Sequence, residues 1–171
     1  MPQLFTRREY DMLPEGFPAQ LIEGFLVKEP APTYGHQRVE HRILAALAAL
    51  VGIDRAVVSP SDVVLDDHNV YQPDVLVLRT IPPDEVRDVG IPLLAVEVLS
   101  PSTRRRDREV KTRHLLEAGV EEVWLVDREA GSIEVQRPDG SEAAFGTHAL
   151  ESRAVPGFRL VPDELFARPT T

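Results

Sequence analysis

Two acidic residues lie in stretches that are otherwise apolar, and these are the positions where the sequence could do chemistry. Asp74 follows Pro73 in "YQPDVLVLR", and Glu97 lies inside "IPLLAVEVLS". An unpaired carboxylate is costly to bury, so such a group is paired, protonated or bound to a cation. If the two stretches are paired strands, the carboxylates converge on one region. A hard cation such as Mg²⁺ takes carboxylate and carbonyl oxygens and keeps several waters, so two carboxylates and one backbone carbonyl would suffice. Each acid also has a bland reading. Asp74 can simply turn the chain after Pro73, and Glu97 can pair with one of the arginines that follow. Either serves for one acid alone; two strand-embedded acids weaken both.

Lys111 is the third candidate. It lies four residues beyond Asp107 on the next helical stretch, so an exposed i,i+4 pair explains it, as does a lysine leaning over the strand ends toward a phosphate. Glu40 shares a helical stripe with Leu44 and Leu47, at the edge of a buried face. His36 reads as a polar residue near a helix start, and Glu23 as a surface residue in a turn. Arg104, Arg105, Arg106, Arg108, Lys111 and Arg113 fall within ten consecutive positions, with Asp107 and Glu109 between them. Such a run is usually a solvated face, though a local basic patch is open to it. Gly-rich phosphate loops, the GxSxG elbow and HExxH are absent, and the five histidines show no metal-ligand spacing on one helix face.

The elements that must position these residues follow from periodicity. "AQLIEGFLVKEP" reads as a hairpin turning at Glu23-Gly24, and "PAPTYG" as a loop. From His36, Val39, Ile43, Leu47 and Leu50 recur at helical spacing, with Gly52 as the stop. "RAVVS", "DVVLDD", "YQPDVLVLR" and "IPLLAVEVLS" are extended, and "TIPPDEVRDVG" is a loop. On the last of these strands Glu97 shares a face with Leu93, Ala95 and Leu99. "TRRRDREVKTRHLLEAGV" is a helix ending at Gly119. "EEVWLVD" is a buried strand, "SIEVQRPDGSEAAF" a hairpin turned at Asp139-Gly140, and the chain finishes with an extended piece and a short helix at 162–165. A helix between "LLAVEVLS" and "EVWLVD" is a crossover, which makes those strands parallel. The expectation is an α/β mixed sheet with helices on its faces, built as one domain over residues 1–171.

Composition agrees with that. The chain has 171 residues, 43% of them hydrophobic and 27% charged, and no cysteine. Disulfides and thiolate metal sites are excluded, and a cytoplasmic protein is expected. No apolar run suits a membrane helix, and the N-terminus lacks the pattern of a secretion signal. A formal net charge of −9 argues against nucleic-acid binding by the protein as a whole.

"YQPDVLVLR", "LLAVEVLSPSTRRRDREVKTRHLLEAGVEEVWLVD" and "AVPGFRLVPDELF" resemble the Uma-two family, a branch of the PD-(D/E)XK nuclease superfamily. The likeness covers nearly the whole chain and is most specific from Glu97 to Thr103 with Asp107 and Lys111. Gln20 stands where relatives often have glutamate, and Leu115 where they often have tyrosine. The resemblance implies a restriction-endonuclease-like αβββαβ core with an N-terminal hairpin and a C-terminal β extension. It matches Pro73-Asp74 to the motif's "PD" and Glu97 to its "(D/E)". The motif's lysine falls at Leu99; in this branch Lys111 is the matching position, and Glu40 resembles an accessory acid on the first helix. The implied chemistry is hydrolysis of DNA with Mg²⁺ (or Mn²⁺) on Asp74, Glu97 and the carbonyl of Val98. Lys111 would stabilise developing charge, and Arg104, Arg105, Arg106, Arg108 and Arg113 would contact phosphates. A homodimer suits cutting of both strands. Two other readings stand beside this one. A non-catalytic nucleic-acid-binding or assembly module of the same fold fits the acidic charge and the missing lysine at position 99. A two-carboxylate glycosidase would need no Lys111.

Overall fold

The computed structural model describes residues 4–14 and 16–168. The chain forms α1 (Arg7–Asp11), the hairpin β1 (Ala19–Ile22) and β2 (Phe25–Lys28), and α2 (Tyr34–Val51). Four short strands follow: β3 (Ala56–Val58), β4 (Val63–Asp66), β5 (Asn69–Tyr71) and β6 (Val75–Val77). Next come β7 (Leu94–Leu99), the helical segments α3 (Arg104–Arg106) and α4 (Thr112–Glu117), and β8 (Glu122–Asp127). The hairpin β9 (Ser132–Arg137) and β10 (Gly140–Phe145) precedes β11 (Leu150–Glu151), β12 (Arg159–Leu160) and α5 (Pro162–Phe166).

A six-stranded sheet has the order β10-β9-β8-β7-β6-β3. Only β7 and β8 run parallel, Glu97 opposite Leu125, because the helix between them carries the chain back across the sheet. The sequence α2-β3-β6-β7-helix-β8 is the expected αβββαβ core. The strands β4 and β5 leave it to join the N-terminal hairpin in a second sheet, ordered β2-β1-β5-β4.

Helix α2 forms because Val39, Ile43 and Leu47 return to one face each turn, and all three are buried. Thr33 caps it through the N–H of His36, and Gly52, at φ 89°, ends it. The helix covers one face of the sheet, where Val75, Val77, Val96, Val98, Trp124 and Val126 meet it. Leu76, Ala95, Leu99, Val123 and Leu125 face the opposite side, under Leu115 of α4. Each fully buried aliphatic side chain contributes about 1.5–3 kcal/mol, so the two layers hold β7 firmly between them.

Four expectations need correction. Leu50 does not continue the core stripe of α2; it is half exposed in the last turn. "YQPDVLVLR" is two strands, with Tyr71 closing β5 in the small sheet and Val75 opening β6, so Asp74 stands in the crossing between sheets. Leu93 precedes β7 and packs on the α2 face. The β9–β10 turn lies at Pro138-Asp139, because Gly140 already pairs with Arg137.

Candidate active site

Strand alternation sends Glu97 to the face of β7 opposite α2, toward the helix that follows. It meets Lys111 there: Nζ lies 2.6 Å from Glu97 Oε1 and 3.6 Å from Asp107 Oδ1. Both partners are buried, with side chains 1% and 4% exposed, so neither an exposed Asp107–Lys111 pair nor a Glu97–arginine pair describes the site. Asp107 Oδ1 stands beside this pair with no hydrogen-bond partner of its own. Burial raises the Glu97 carboxyl well above the usual range, and Asp107 and Asp74 add to this against the pull of Lys111. Burial works against the charged form of Lys111, but Glu97, Asp107 and Asp74 outweigh it and hold the ammonium above its ordinary value.

Lys111 is the last residue of a local change of helix type. Asp107–Lys111 is a π-helical turn between α3 and α4, and the Asp107 carbonyl accepts the N–H of Thr112 as well as its hydroxyl, at 2.7 Å. Single π turns inside α-helices are frequent at functional sites.

Asp74 lies on the same end of the sheet. Its Oδ2 accepts the Val98 N–H at 2.6 Å, which ties it to the residue after Glu97. Its Oδ1 lies 3.3 Å from His36 Nε2. His36, expected to be only a polar helix-start residue, therefore belongs to the constellation; the helix begins two residues earlier than expected, at Tyr34, and sets it in the first turn. Burial disfavours the imidazolium, yet the hydrogen bond and charge of Asp74, with Glu40, raise its pKa. Glu40 follows one turn later and is buried, its carboxyl raised by burial and by Asp74. Glu29 also borders the site. Its Oε1 accepts Gln20 Nε2 at 3.0 Å and Arg106 Nη2 at 2.7 Å.

These donors suit a hard cation. Glu97 offers a buried carboxylate beside the Lys111 ammonium, Asp74 offers a second carboxylate, and Val98 a backbone carbonyl. Among the described residues no three carboxylate or imidazole groups gather closely enough to enclose a metal ion, so a bound ion would keep waters, as Mg²⁺ does.

A family model described as "Putative restriction endonuclease", Uma2, matches residues 5–163. The chain belongs to the Uma2 family. A crystal structure described as a "putative nuclease belonging to DUF820", from Anabaena variabilis, is similar over 95% of this chain and 97% of that one. Its TM-score is 0.81 at 23% identity, a likeness of fold. No curated protein matches the chain. Among the described residues no helix is long and apolar enough to cross a membrane.

In this Uma2-family chain the arginine run is engaged within the molecule. Arg104 pairs with Asp127 and Glu129, Arg106 with Glu29, and Arg108 with Glu134. Arg105 pairs with Glu109, and Arg113 lies 3.8 Å from Glu23. Arg104, Arg106 and Arg108 thus brace the helix to β8, β9 and the N-terminal hairpin, while Arg105 and Arg113 stay exposed. Glu23 is a half-exposed turn residue, as expected.

Proposed function

We propose that the protein is a metal-dependent endonuclease that hydrolyses phosphodiester bonds in DNA. Asp74, Glu97 and the Val98 carbonyl hold Mg²⁺ or Mn²⁺, and Lys111 stabilises charge on the scissile phosphate. The observation that carries this reading is the 2.6 Å contact of Lys111 Nζ with Glu97 Oε1, beside an Asp74 fixed on the next residue's N–H. When bound, the ion would polarise the phosphate and lower the pKa of the attacking water. Lys111 brings a positive charge from a buried position, where it acts more strongly than in bulk solution. Glu40, its carboxyl raised by burial, can take up a proton at the edge of the site. His36 and the Val98 N–H hold the two oxygens of Asp74 in place. The reading includes a cytoplasmic homodimer, with two such sites serving the two strands.

A second reading, a non-catalytic nucleic-acid-binding or assembly module of the same fold, has an observation for its assembly form. Each of the five arginines expected to meet phosphates lies within ion-pair distance of a carboxylate of the chain, which leaves less free charge for drawing DNA into a cutting site. Supercoiled plasmid incubated with Mg²⁺, Mn²⁺ or chelator distinguishes the two. Metal-dependent nicking by wild type, lost in Asp74→Asn, Glu97→Gln and Lys111→Met, is the expected result. Plasmid that is retarded on a gel but never cut favours the module, and variants that cut like wild type remove these residues from the mechanism.

A further inference from the structure

Arg128 follows the last residue of β8 and opens the turn to β9. Alternation along β8 sets Trp124 and Val126 against α2 and turns Arg128 to the same side. Asp127 faces the other way, where Arg104 and Arg108 meet it. The Arg128 guanidinium lies on the backbone of Gly35 in the first turn of α2; a Cβ on Gly35 would come within 2.2 Å of Nη2. The next residue is His36, whose imidazole meets Asp74. The first turn of α2 therefore reaches Asp74 on one side and Arg128 on the other. Between β6 and β8 runs β7, which carries Glu97.

Arg128 also differs from its basic neighbours in its company. Arg104, Arg105, Arg106, Arg108 and Arg113 each lie within ion-pair distance of a carboxylate. Among the described residues Arg128 has no such partner, and it is exposed. Its planar fork suits a phosphate, and the first turn of an 18-residue helix beside it adds to the attraction for an anion.

We infer that Arg128, seated on Gly35, contacts a backbone phosphate of the DNA next to the bond being cut. This rests on the nuclease reading and adds to it the residue that receives the flanking strand. The phosphate contact expected of the run from Arg104 to Arg113 is thereby moved to an arginine that free charge and position favour.

The test is binding of a short fluorescein-labelled DNA duplex, followed by anisotropy in chelator over a range of salt, so that no cutting intervenes. Arg128→Ala is compared with wild type and with Arg153→Ala. Arg153 removes the same charge from the far end of β8, where its backbone N–H binds Glu122. Arg128→Ala is expected to raise Kd several-fold and to lower the salt slope by about one, the signature of a single lost phosphate contact. Arg128→Lys keeps the slope, and Arg153→Ala matches wild type. Gly35→Ala, which pushes the guanidinium off its seat without changing charge, weakens binding less than Arg128→Ala does. Equal Kd and slope for Arg128→Ala and wild type overturn the inference, as does an equal loss in Arg153→Ala. Failure of wild type to bind duplex in Mg²⁺ as well as in chelator is a different result: it overturns the nuclease reading itself.

Discussion

Glu97 on β7 and Glu122 on β8 are both buried acids on neighbouring parallel strands, each facing a cation, yet their surroundings are opposite. Glu122 stands at the start of its strand, opposite Leu94, whereas Glu97 lies farther along, opposite Leu125. Oε1 of Glu122 accepts Arg137 Nε at 2.7 Å and the Arg153 N–H at 2.8 Å; Oε2 accepts Trp124 Nε1 at 3.1 Å and the Ser152 hydroxyl. Arg137 in turn donates to Glu142 and to the Glu151 carbonyl. Burial pushes the Glu122 carboxyl up, but these hydrogen bonds together hold it below its ordinary value. Glu97 has one close partner, the Lys111 ammonium 2.6 Å from Oε1, and its carboxyl is raised. A buried network with every member satisfied fixes structure; one left short has room for another polar partner. Glu122 is scaffold, pinning β9 and the C-terminal segment to β8, whereas Glu97 is the acid that the nuclease proposal uses for chemistry.

The sharpest way to break this comparison is to neutralise the Glu97–Lys111 pair as a whole and to take the cation alone from Glu122. Glu97→Gln with Lys111→Met is expected to lower the cleavage rate by about 10²–10³-fold or more, since the charged groups at the phosphate are gone. Its melting temperature stays level or rises, because replacing both members of a buried pair is often neutral or stabilising. Arg137→Met leaves Glu122 buried without its cation and is expected to cost about 3–5 kcal/mol. For a chain of this size that is a fall of about 10 °C in Tm by differential scanning calorimetry. Activity per folded molecule is unchanged. A large loss of stability in the first variant, or a loss of cutting by folded Arg137→Met, removes the distinction between site and scaffold.

Acid sharpens it further, with a smaller effect. The raised Glu97 carboxyl binds its proton more tightly in the folded state between the ordinary value of 4.5 and its higher folded value. Stability from this group is therefore gained as pH falls through that window and lost as pH rises. Glu122 is shifted the other way: its contribution is complete above 4.5 and lost as pH falls through its lower folded value. Thermal melts from about pH 3 to pH 8 should show wild type gaining on Glu97→Gln with acid and losing ground to Glu122→Gln. Differences that run in the same direction would mean the two carboxyls are not held apart as described.

The sequence was informative where a property repeats or conflicts with its surroundings. Val39, Ile43 and Leu47 announce α2 by period, and the crossover from β7 to β8 follows from a helix between two apolar runs. Asp74 and Glu97 stand out because an acid in an apolar strand is costly. Lys111 was a candidate from the residues, but only family resemblance put it beside Glu97, because a π turn has no side-chain pattern: it changes one hydrogen-bond register inside an ordinary helical stretch. His36 was passed over because its partner, Asp74, is distant in the chain and only the fold of α2 over the strand ends joins them. The arginine run hid its pairing for the same reason. Its partners Glu29, Asp127 and Glu134 come from three separate parts of the chain. Glu122, beside the exposed Glu121, gave no sign of anchoring a network.

The π turn itself offers the finest separation of site from scaffold. Thr112 donates its hydroxyl to the Asp107 carbonyl, and that same carbonyl accepts the Thr112 N–H that closes the turn. Thr112→Val keeps the shape and the backbone bond but removes the hydroxyl, at a cost of about 1 kcal/mol. A lost hydrogen bond of this kind lowers Tm by about 3 °C. If the turn serves only packing, cutting by the folded protein is unaffected. If it aims Lys111 at Glu97, the rate falls at a temperature where the variant is fully folded, because a displacement too small to disturb the core still misplaces the ammonium. The expected result is the second, with Tm and rate moving independently. Unchanged cutting in Thr112→Val would leave the π turn as a packing feature and return the placement of Lys111 to the strand and helix alone.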